Sequence, residues 1–598
     1  MQVARSQESQ LANFYLLPWL TSGYLRNPQQ QKSSTRFRRR LRRRAMGSVR
    51  ERDLSPEPDK RRPSGLGTVT VVFLIALPLL LVFFLFSDRA VVSIAADYRP
   101  VWQRMKLLGS GNASSFPNAE GSAHDRLLGG LLSPDFDTAT CLSRYEASRR
   151  WKPSPFPVTP YLVQKLRQYE ANHRRCGPGT ANYREAMVQL MSGRNADLAE
   201  CKYVVWVPLA GLGNRMLSIV STFLYALLTG RVLLIHEPPE MEGLFCQPFP
   251  GTSWVLPPGF PYTDGFSADS NESYVNMLEN SIVHYDDGGN ASTLPPYVYF
   301  HLEQISLRLQ NHTFCEEDHR VLDRFNWMVL RSDSYFTVAL FLMPMYRSEL
   351  DRMFPAKGSV FHHLGRYLFH PGNRAWDILE RFYVGYLAGA DERLGIQVRL
   401  SPSFPITFEV MYEQIIRCIR EHELLPQVTD TSEPGALPTN GTVGTARVKA
   451  VLVVSLKPEY YDKLHSMYYT NATATGEVVT VYQPSHDLDQ RSDALAHNER
   501  ALAEIFMLSY SDRLVTTAFS TFGYVAYSLA GLRPWLLMPP DWATMRAEVA
   551  CSRSASVEPC LHSQPSLLCQ AEQDLDPVVH VPFLRHCEDM DSGLKLFD

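Results

Sequence analysis

The stretch YVVWVPLAGLGNRMLSIVSTFLYALLTGRVLLI (203–235) decides the fold. Tyr203–Pro208 is a short apolar run rich in β-branched and aromatic residues, the pattern of a strand buried on both faces. Gly211-Leu-Gly-Asn-Arg215 follows as a turn, and residues 216–228 carry apolar side chains at helical spacing up to Gly230. Val232–Ile235 is the next buried strand. This is a strand–turn–helix–strand unit of Rossmann type. Two glycines permit a tight turn and close backbone approach, and a helix start offers unpaired N–H groups and a positive dipole end. Asn214 and Arg215 add donors for an oxygen-rich ligand; alone, the motif is also compatible with a mere turn.

Working outward, residues 240–390 are less regular, with proline-rich loops and aromatic helical stretches. A second alternation begins at 394. Strands are predicted at 394–400, 449–455, 477–482, 513–517 and 535–538, and helices at 408–421, 458–468, 495–509 and 522–530. Strands alternating with helices give a parallel sheet covered on both faces. The fold class is α/β: two Rossmann-like units facing a cleft. The segment 422–447 reads as a surface loop.

The N-terminal region is of a different kind. Residues 1–65 carry 15 Lys/Arg against 5 Asp/Glu, so a net charge of −3 over 598 residues hides a basic tail on an acidic body. Residues 68–86 are uncharged, and as a helix they measure about 28 Å, close to the hydrocarbon thickness. Basic residues before the span predict a cytosolic N-terminus and a lumenal body, and argue against the tail being a nucleic-acid arm. The predicted organisation is a basic cytosolic tail (1–66), a transmembrane signal anchor (67–87), a lumenal stem (88–140), an N-terminal acceptor-side α/β domain (141–390), a C-terminal donor-binding α/β domain (391–547) and a disulfide-rich C-terminal segment (548–598). All ten cysteines follow the span, without the paired CxxC spacing of zinc sites. Disulfides are expected, and Cys551, Cys560, Cys569 and Cys587 crowd the last 50 residues. Six sequons follow the span, at Asn112, Asn271, Asn290, Asn311, Asn440 and Asn471.

Other residues carry chemistry. Arg399 in Gly395-Ile-Gln-Val-Arg399 stands at the C-terminal end of a predicted strand, the edge that faces the ligand crevice in open α/β sheets. It suits either a salt bridge or a bidentate clamp on a diphosphate. Thr516-Thr-Ala-Phe-Ser-Thr-Phe-Gly523 follows a strand and opens a helix, so its hydroxyls can cap that helix, bind phosphate, or both. Phe361-His-His-Leu-Gly-Arg366 adds basic groups, its paired histidines being a poor metal site, and His497-Asn-Glu-Arg500 opens another helix. No Asp-x-Asp stands in a context suggesting a metal-held diphosphate, and GxSxG, HExxH and Walker A patterns are absent.

VPLAGLGNRMLSIVSTFLYALLTGRVLLI, LFCQPFPGTSWVLP, FHHLGRYLFHP, LGIQVRL, HNERALAEIFMLSYSD, TTAFSTFGYVAYSLAGLRPWLL, EPCLHSQPSLLCQ and RHCEDMDSGLKLFD, in this order, resemble the plant xyloglucan fucosyltransferase family, glycosyltransferase family 37. The resemblance covers roughly residues 140–598. It implies a GT-B-variant fold and a single-pass type II Golgi enzyme, an inverting α-1,2-fucosyltransferase that uses GDP-fucose without a metal or other cofactor. It implies catalytic roles for Arg399, Asn214 and Arg215, and substrate binding by Gly211, Gly213, His363, Arg366, Gln397, Ser520, Thr521, Phe522 and Gly523. GIQVR for GIQIR and Phe519 for Trp are mild departures. The implied partners are GDP-fucose, a polysaccharide or glycoprotein glycan acceptor (xyloglucan galactose or arabinogalactan) and the Golgi membrane; no nucleic acid is expected and a homodimer is left open. Two other readings compete: a transferase of the same fold for another nucleotide sugar, and an inactive glycan-binding relative.

Overall fold

The computed structural model describes residues 125–598 except 197–198, 264, 286–292, 304–314, 401–405, 430–445, 540, 542–545 and 563–575. The basic tail, the apolar run at 68–86, most of the stem and the sequons at Asn112, Asn290, Asn311 and Asn440 therefore lie outside the described residues. Among the described residues, no helix is long and apolar enough to cross a membrane.

Two parallel sheets form the framework. After helices α1 (Pro160–Cys176) and α2 (Ala181–Met191), the first sheet contains β1 (Tyr203–Pro208), β2 (Val232–Ile235), β3 (Tyr297–Leu302) and β4 (Trp327–Ser332) in the order β2-β1-β4-β3. Helix α3 (Leu212–Thr229) joins β1 to β2 and ends on Gly230 at φ +69°. The second sheet contains β5 (Glu392–Val398), β6 (Val448–Ser455), β7 (Val478–Tyr482), β8 (Arg513–Thr517), β9 (Trp535–Leu537) and β10 (Cys551–Arg553) in the order β10-β9-β8-β5-β6-β7, parallel except for β10. Helices α4 (Val360–Leu368) and α5 (Asn373–Phe382) precede it; α6 (Phe408–Glu421), α7 (Glu459–Thr470), α8 (Leu495–Ser509) and α9 (Thr521–Ala530) are its crossovers. A hairpin of β11 (Leu584–His586) and β12 (Leu594–Leu596) closes the chain.

Strand parity explains how the layers assemble. In the first sheet Val204, Trp206, Leu233, Val298 and Met328 point to one side, while Tyr203, Val205, Leu234, Tyr299 and Val329 point to the other, under α2. In the second sheet Leu452, Val454 and Leu514 face α8 and α9, and Ile396, Val451, Val453 and Val515 face α6 and α7. The inner faces, with α3, α4, α8 and α9 between them, share a single apolar core. The two α/β halves are thus joined by buried helices, with β1 and β5 presenting their C-terminal ends toward the same region.

The middle region holds strands the sequence reading did not resolve. β4 lies beside β1 at the centre of the first sheet, and β3 at its edge. Tyr297–Leu302 and Trp327–Ser332 are separated by 304–314 and by a helix of only 7 residues, Glu316–Leu322, so no regular alternation marks them. The C-terminal cysteines also differ in detail from a self-contained cluster. Cys560 pairs with Cys587 within the tail, but Cys551 pairs with Cys418 of α6. Cys141–Cys246 and Cys176–Cys201 bridge the N-terminal half, and Cys315 is disulfide-bonded as well.

The core also contains titratable groups whose environments set a pH dependence. Burial lowers His173 and His363 to about 4, and His362, His370 and His562 fall below their usual value of 6.5. Burial raises Glu504 to about 7 and Glu558 to about 8. Between about pH 4.5 and 6.5 the unfolded chain holds protons on five histidines that the folded chain refuses, so these histidines make stability rise with pH. Over the same range the two carboxyls act oppositely, because the folded chain keeps protons that the unfolded chain has released. Above 6.5 only the carboxyls remain, and stability falls up to about pH 8. Thermal melting across pH 5–8.5 should therefore peak near pH 6.5, and Glu558→Gln should flatten the alkaline fall. A melting temperature rising steadily to pH 8.5 contradicts this assignment.

Candidate active site

The site is built where α3 and α9 begin. Helix α3 starts at Leu212, one turn earlier than the periodicity placed it, so Gly213, Asn214 and Arg215 lie in its first turn. The tight turn before it is made by Ala210 at φ +61°, not by a glycine. Gly213 is needed for space instead. A Cβ on Gly213 would stand 2.7 Å from the backbone N of Phe522 and 2.7 Å from the backbone carbon of Thr521. The first turns of α3 and α9 are therefore in direct backbone contact, one helix from each half of the molecule. Asn214 secures the junction: its Oδ1 accepts from the Thr521 hydroxyl at 2.9 Å, and its Nδ2 donates to the Asp333 carbonyl at 3.2 Å.

The α9 side is equally constrained. Ser520 caps the helix, its Oγ accepting from Gly523 N at 3.4 Å. Phe519, just before the cap, has φ +59°, which is uncommon for an aromatic residue. Gly523 leaves room for buried Gln397, whose Oε1 lies 3.0 Å from where its Cβ would stand. Arg399 follows the last residue of β5. Its N–H donates to Thr517 Oγ1 at 3.0 Å, fixing the end of β5 against β8, and its side chain is exposed. Arg215 is 8% exposed; its Nε donates to the Ala210 carbonyl at 2.9 Å and its Nη2 lies 3.5 Å from Glu240. Burial lowers its pKa, which Glu240 partly offsets, and its Nη1 is buried without a hydrogen-bond partner.

Two helix N-termini, with their N–H groups and positive dipole ends, thus meet beside the end of β5. This arrangement suits a polyanionic leaving group. Gly211, Gly213, Asn214, Arg215, Gln397, Arg399, Ser520, Thr521, Phe522 and Gly523 are brought together here. His363 and Arg366 are placed elsewhere. The Arg366 guanidinium is buried and donates to the carbonyls of Leu529 and Ala530 at 2.7 and 3.3 Å, at the C-terminal end of α9. A helix of 10 residues separates that end from Ser520, a span of about 15 Å. His363 is 3% exposed and faces Phe156.

The sequence pattern of the xyloglucan fucosyltransferase family matches residues 104–570. The chain is 45% identical over 488 residues to galactoside 2-alpha-L-fucosyltransferase of Arabidopsis thaliana, covering 81% of this chain and 85% of that protein. The chain belongs to the xyloglucan fucosyltransferase family. Galactoside 2-alpha-L-fucosyltransferase of Pisum sativum is 41% identical over 515 residues, with 86% of this chain and 88% of that protein covered. A solved structure of an Arabidopsis thaliana FUT1 mutant in complex with GDP matches at a TM-score of 0.71 and 43% identity, covering 79% of this chain and 100% of that one.

This fucosyltransferase also uses a residue that the sequence reading passed over. Asp589, near the C-terminus, accepts at Oδ2 from the Phe519 N–H at 2.9 Å and from the Tyr524 hydroxyl at 2.6 Å. Tyr524 also bonds His562 at 3.1 Å. Asp589 therefore holds the strained turn in front of α9, and the Cys560–Cys587 disulfide ends two residues before it. The acidic residue stands in the quoted RHCEDMDSGLKLFD block, but nothing local in sequence ties it to a turn 70 residues earlier.

The two glycines make separable predictions. Gly213→Ala drives a methyl group into backbone and should cost about 1–3 kcal/mol of stability, together with most of the activity. Gly211→Ala meets only the side-chain amide of Gln490, which can move, so it should melt like wild type. Equal melting temperatures for wild type and Gly213→Ala would show that the two helix starts are not in backbone contact.

Proposed function

We propose that the chain transfers L-fucose from GDP-fucose, with inversion and in α-1,2 linkage, to a galactose or arabinose unit of a cell-wall glycan. The observation that carries this reading is the meeting of two helix N-termini beside Arg399, with Arg215 keeping one buried N–H group unpaired. The family membership supplies the sugar and the linkage, since its relatives include galactoside 2-alpha-L-fucosyltransferases. GDP in the FUT1 structure supports the nucleotide.

The reaction on this reading is a direct displacement. An acceptor hydroxyl oxygen attacks the anomeric carbon of fucose in line with the bond to the β-phosphate oxygen. That bond breaks with its electron pair going to GDP, and the hydroxyl proton passes to solvent. The sugar is oxocarbenium-like at the midpoint, so stabilising charge growing on GDP is a large term. Arg399 offers a planar two-pronged donor, and the first turns of α3 and α9 add N–H groups and dipoles. Asn214 and Thr521 keep these elements in register.

We extend the proposal to a metal-independent reaction on a GT-B-variant fold. Two Asp-x-Asp pairs lie near the site, at 487–489 and 589–591, and the first aspartate of each is engaged. Asp487 binds Arg500 at 2.8 and 2.9 Å, and Asp589 holds the Phe519 turn. The basic tail followed by the uncharged run 68–86 supports a type II anchor in the Golgi with the body lumenal. The disulfides fit that compartment.

Mutation and chelation test the reading. Arg399→Lys keeps the charge but loses the fork, and should be badly impaired. Arg399→Ala should fold and melt normally while losing at least about a hundredfold in transfer, roughly 3 kcal/mol, together with most of its GDP affinity. Normal GDP binding and turnover in folded Arg399→Ala would refute the clamp. A chelator should leave transfer nearly intact; complete loss, restored by Mn²⁺ or Mg²⁺, rules out the metal-independent route. Transfer from GDP-mannose but not GDP-fucose replaces the donor assignment. Protease treatment of sealed microsomes should trim only the basic tail, and digestion of the body without detergent rejects the topology.

A further inference from the structure

Gln490 lies in the exposed loop 483–494 between β7 and α8. Its Oε1 accepts from Arg399 Nη2 at 2.7 Å. Its Nε2 donates to Ser492 Oγ at 2.8 Å, and it would stand 2.6 Å from a Cβ on Gly211. One neutral side chain therefore touches both Arg399 and the turn that opens α3. Those are the elements that the proposed function assigns to the diphosphate, and the inference rests on that reading.

We propose that Gln490 is a built-in stand-in for the donor's diphosphate, seated on Arg399 until a nucleoside diphosphate displaces it. An amide presents a carbonyl acceptor and an N–H donor about as far apart as two phosphate oxygens, but without charge. The guanidinium–amide bond carries charge on one side only, whereas a diphosphate brings the opposite charge and can accept at two oxygens, so a diphosphate wins the exchange. Until then the amide holds the guanidinium at the Gly211 turn.

The loop is constructed for such an exchange. Ser485 donates through its N–H and hydroxyl to Glu504 at 3.1 and 2.6 Å. Asp487 is gripped by Arg500 and by His497, the latter at 3.0 Å. On the far side, Asn498 Nδ2 donates to the Ser492 carbonyl at 3.1 Å and to the Glu240 carbonyl at 2.8 Å. Leu488 to Arg491 therefore form a short arc pinned at both ends. Leu488 is 63% exposed, and Asp489, Gln490 and Arg491 are exposed too, so the arc can lift without opening the core. Donor binding must break the Gln490–Arg399 bond, so the free energy of that bond is subtracted from donor affinity.

Titration calorimetry with GDP on the full-length, detergent-solubilised protein tests this. Gln490→Ala removes the competitor, so GDP should bind roughly three- to tenfold tighter, the range expected for losing one solvent-exposed hydrogen bond. Gln490→Glu replaces it with a charged competitor. GDP should then bind at least about tenfold more weakly, with the deficit shrinking as salt is raised. Both variants should melt like wild type, because the residue is exposed. Unchanged or weaker GDP binding by a normally melting Gln490→Ala overturns the proposal and makes the amide a bystander or a ligand contact. If wild type itself fails to bind GDP, the donor reading falls and this inference with it. If wild type binds and Arg399→Ala does not, the donor reading stands whatever Gln490 does.

Discussion

Everything in this molecule depends on the contact between two helix starts. Gly213 of α3 lies against the backbone of Thr521 and Phe522 of α9, too close for any other side chain, and Asn214 bonds the Thr521 hydroxyl across the junction. Two positive helix ends placed together repel each other and leave N–H groups without partners. The shared apolar core offsets that cost. Met216, Val220, Phe223 and Leu224 of α3 are buried in the same cluster as Tyr524, Val525 and Leu529 of α9. The result is a fixed pair of positive helix ends that spans both halves of the fold.

The far end of α9 shows how that site is supported at a distance. Arg366 places its guanidinium on the last carbonyls of the helix and over the ring of Trp151, 4.5 Å from its centroid. A cation at the negative end and a strained, aspartate-held turn at the positive end fix the axis of one short helix. Burial lowers Arg366 to about 9, so it stays charged at the pH where the fold is most stable. His362 beside it bonds the Ser528 carbonyl at 2.9 Å and extends the same support.

Much of this was legible in the sequence, for identifiable reasons. Residues 408–421 and 495–509 match α6 and α8 residue for residue, because apolar periodicity and abrupt polar ends define them. GLGNR, GIQVR and STFG were readable as strand-end and helix-start motifs, and they converge. Their physical roles were less legible. Gly213 and Gly523 serve close approach, while Ala210 and Phe519 carry the left-handed backbone, which no residue preference suggests. Arg366 stood in a basic motif that looked like a ligand contact, yet its partners are carbonyls 163 and 164 residues away in sequence. β3 and β4 were hidden because no regular helix spacing frames them. Asp589 and Gln490 act through contacts that only the folded chain creates.

The position of Asp589 has a consequence for synthesis. Residues 584–598 are woven into parts of the chain made much earlier: Asp598 accepts from the Gly358 N–H at 2.9 Å, Leu594 and Leu596 are fully buried, and Asp589 braces the Phe519 turn. A nascent chain emerges from its N-terminus, so residue 519 leaves the ribosome well before residue 589. The Phe519 turn therefore stays without its aspartate brace until some 70 further residues have been made, and a product stopped between the two would carry both helix starts with that turn unbraced.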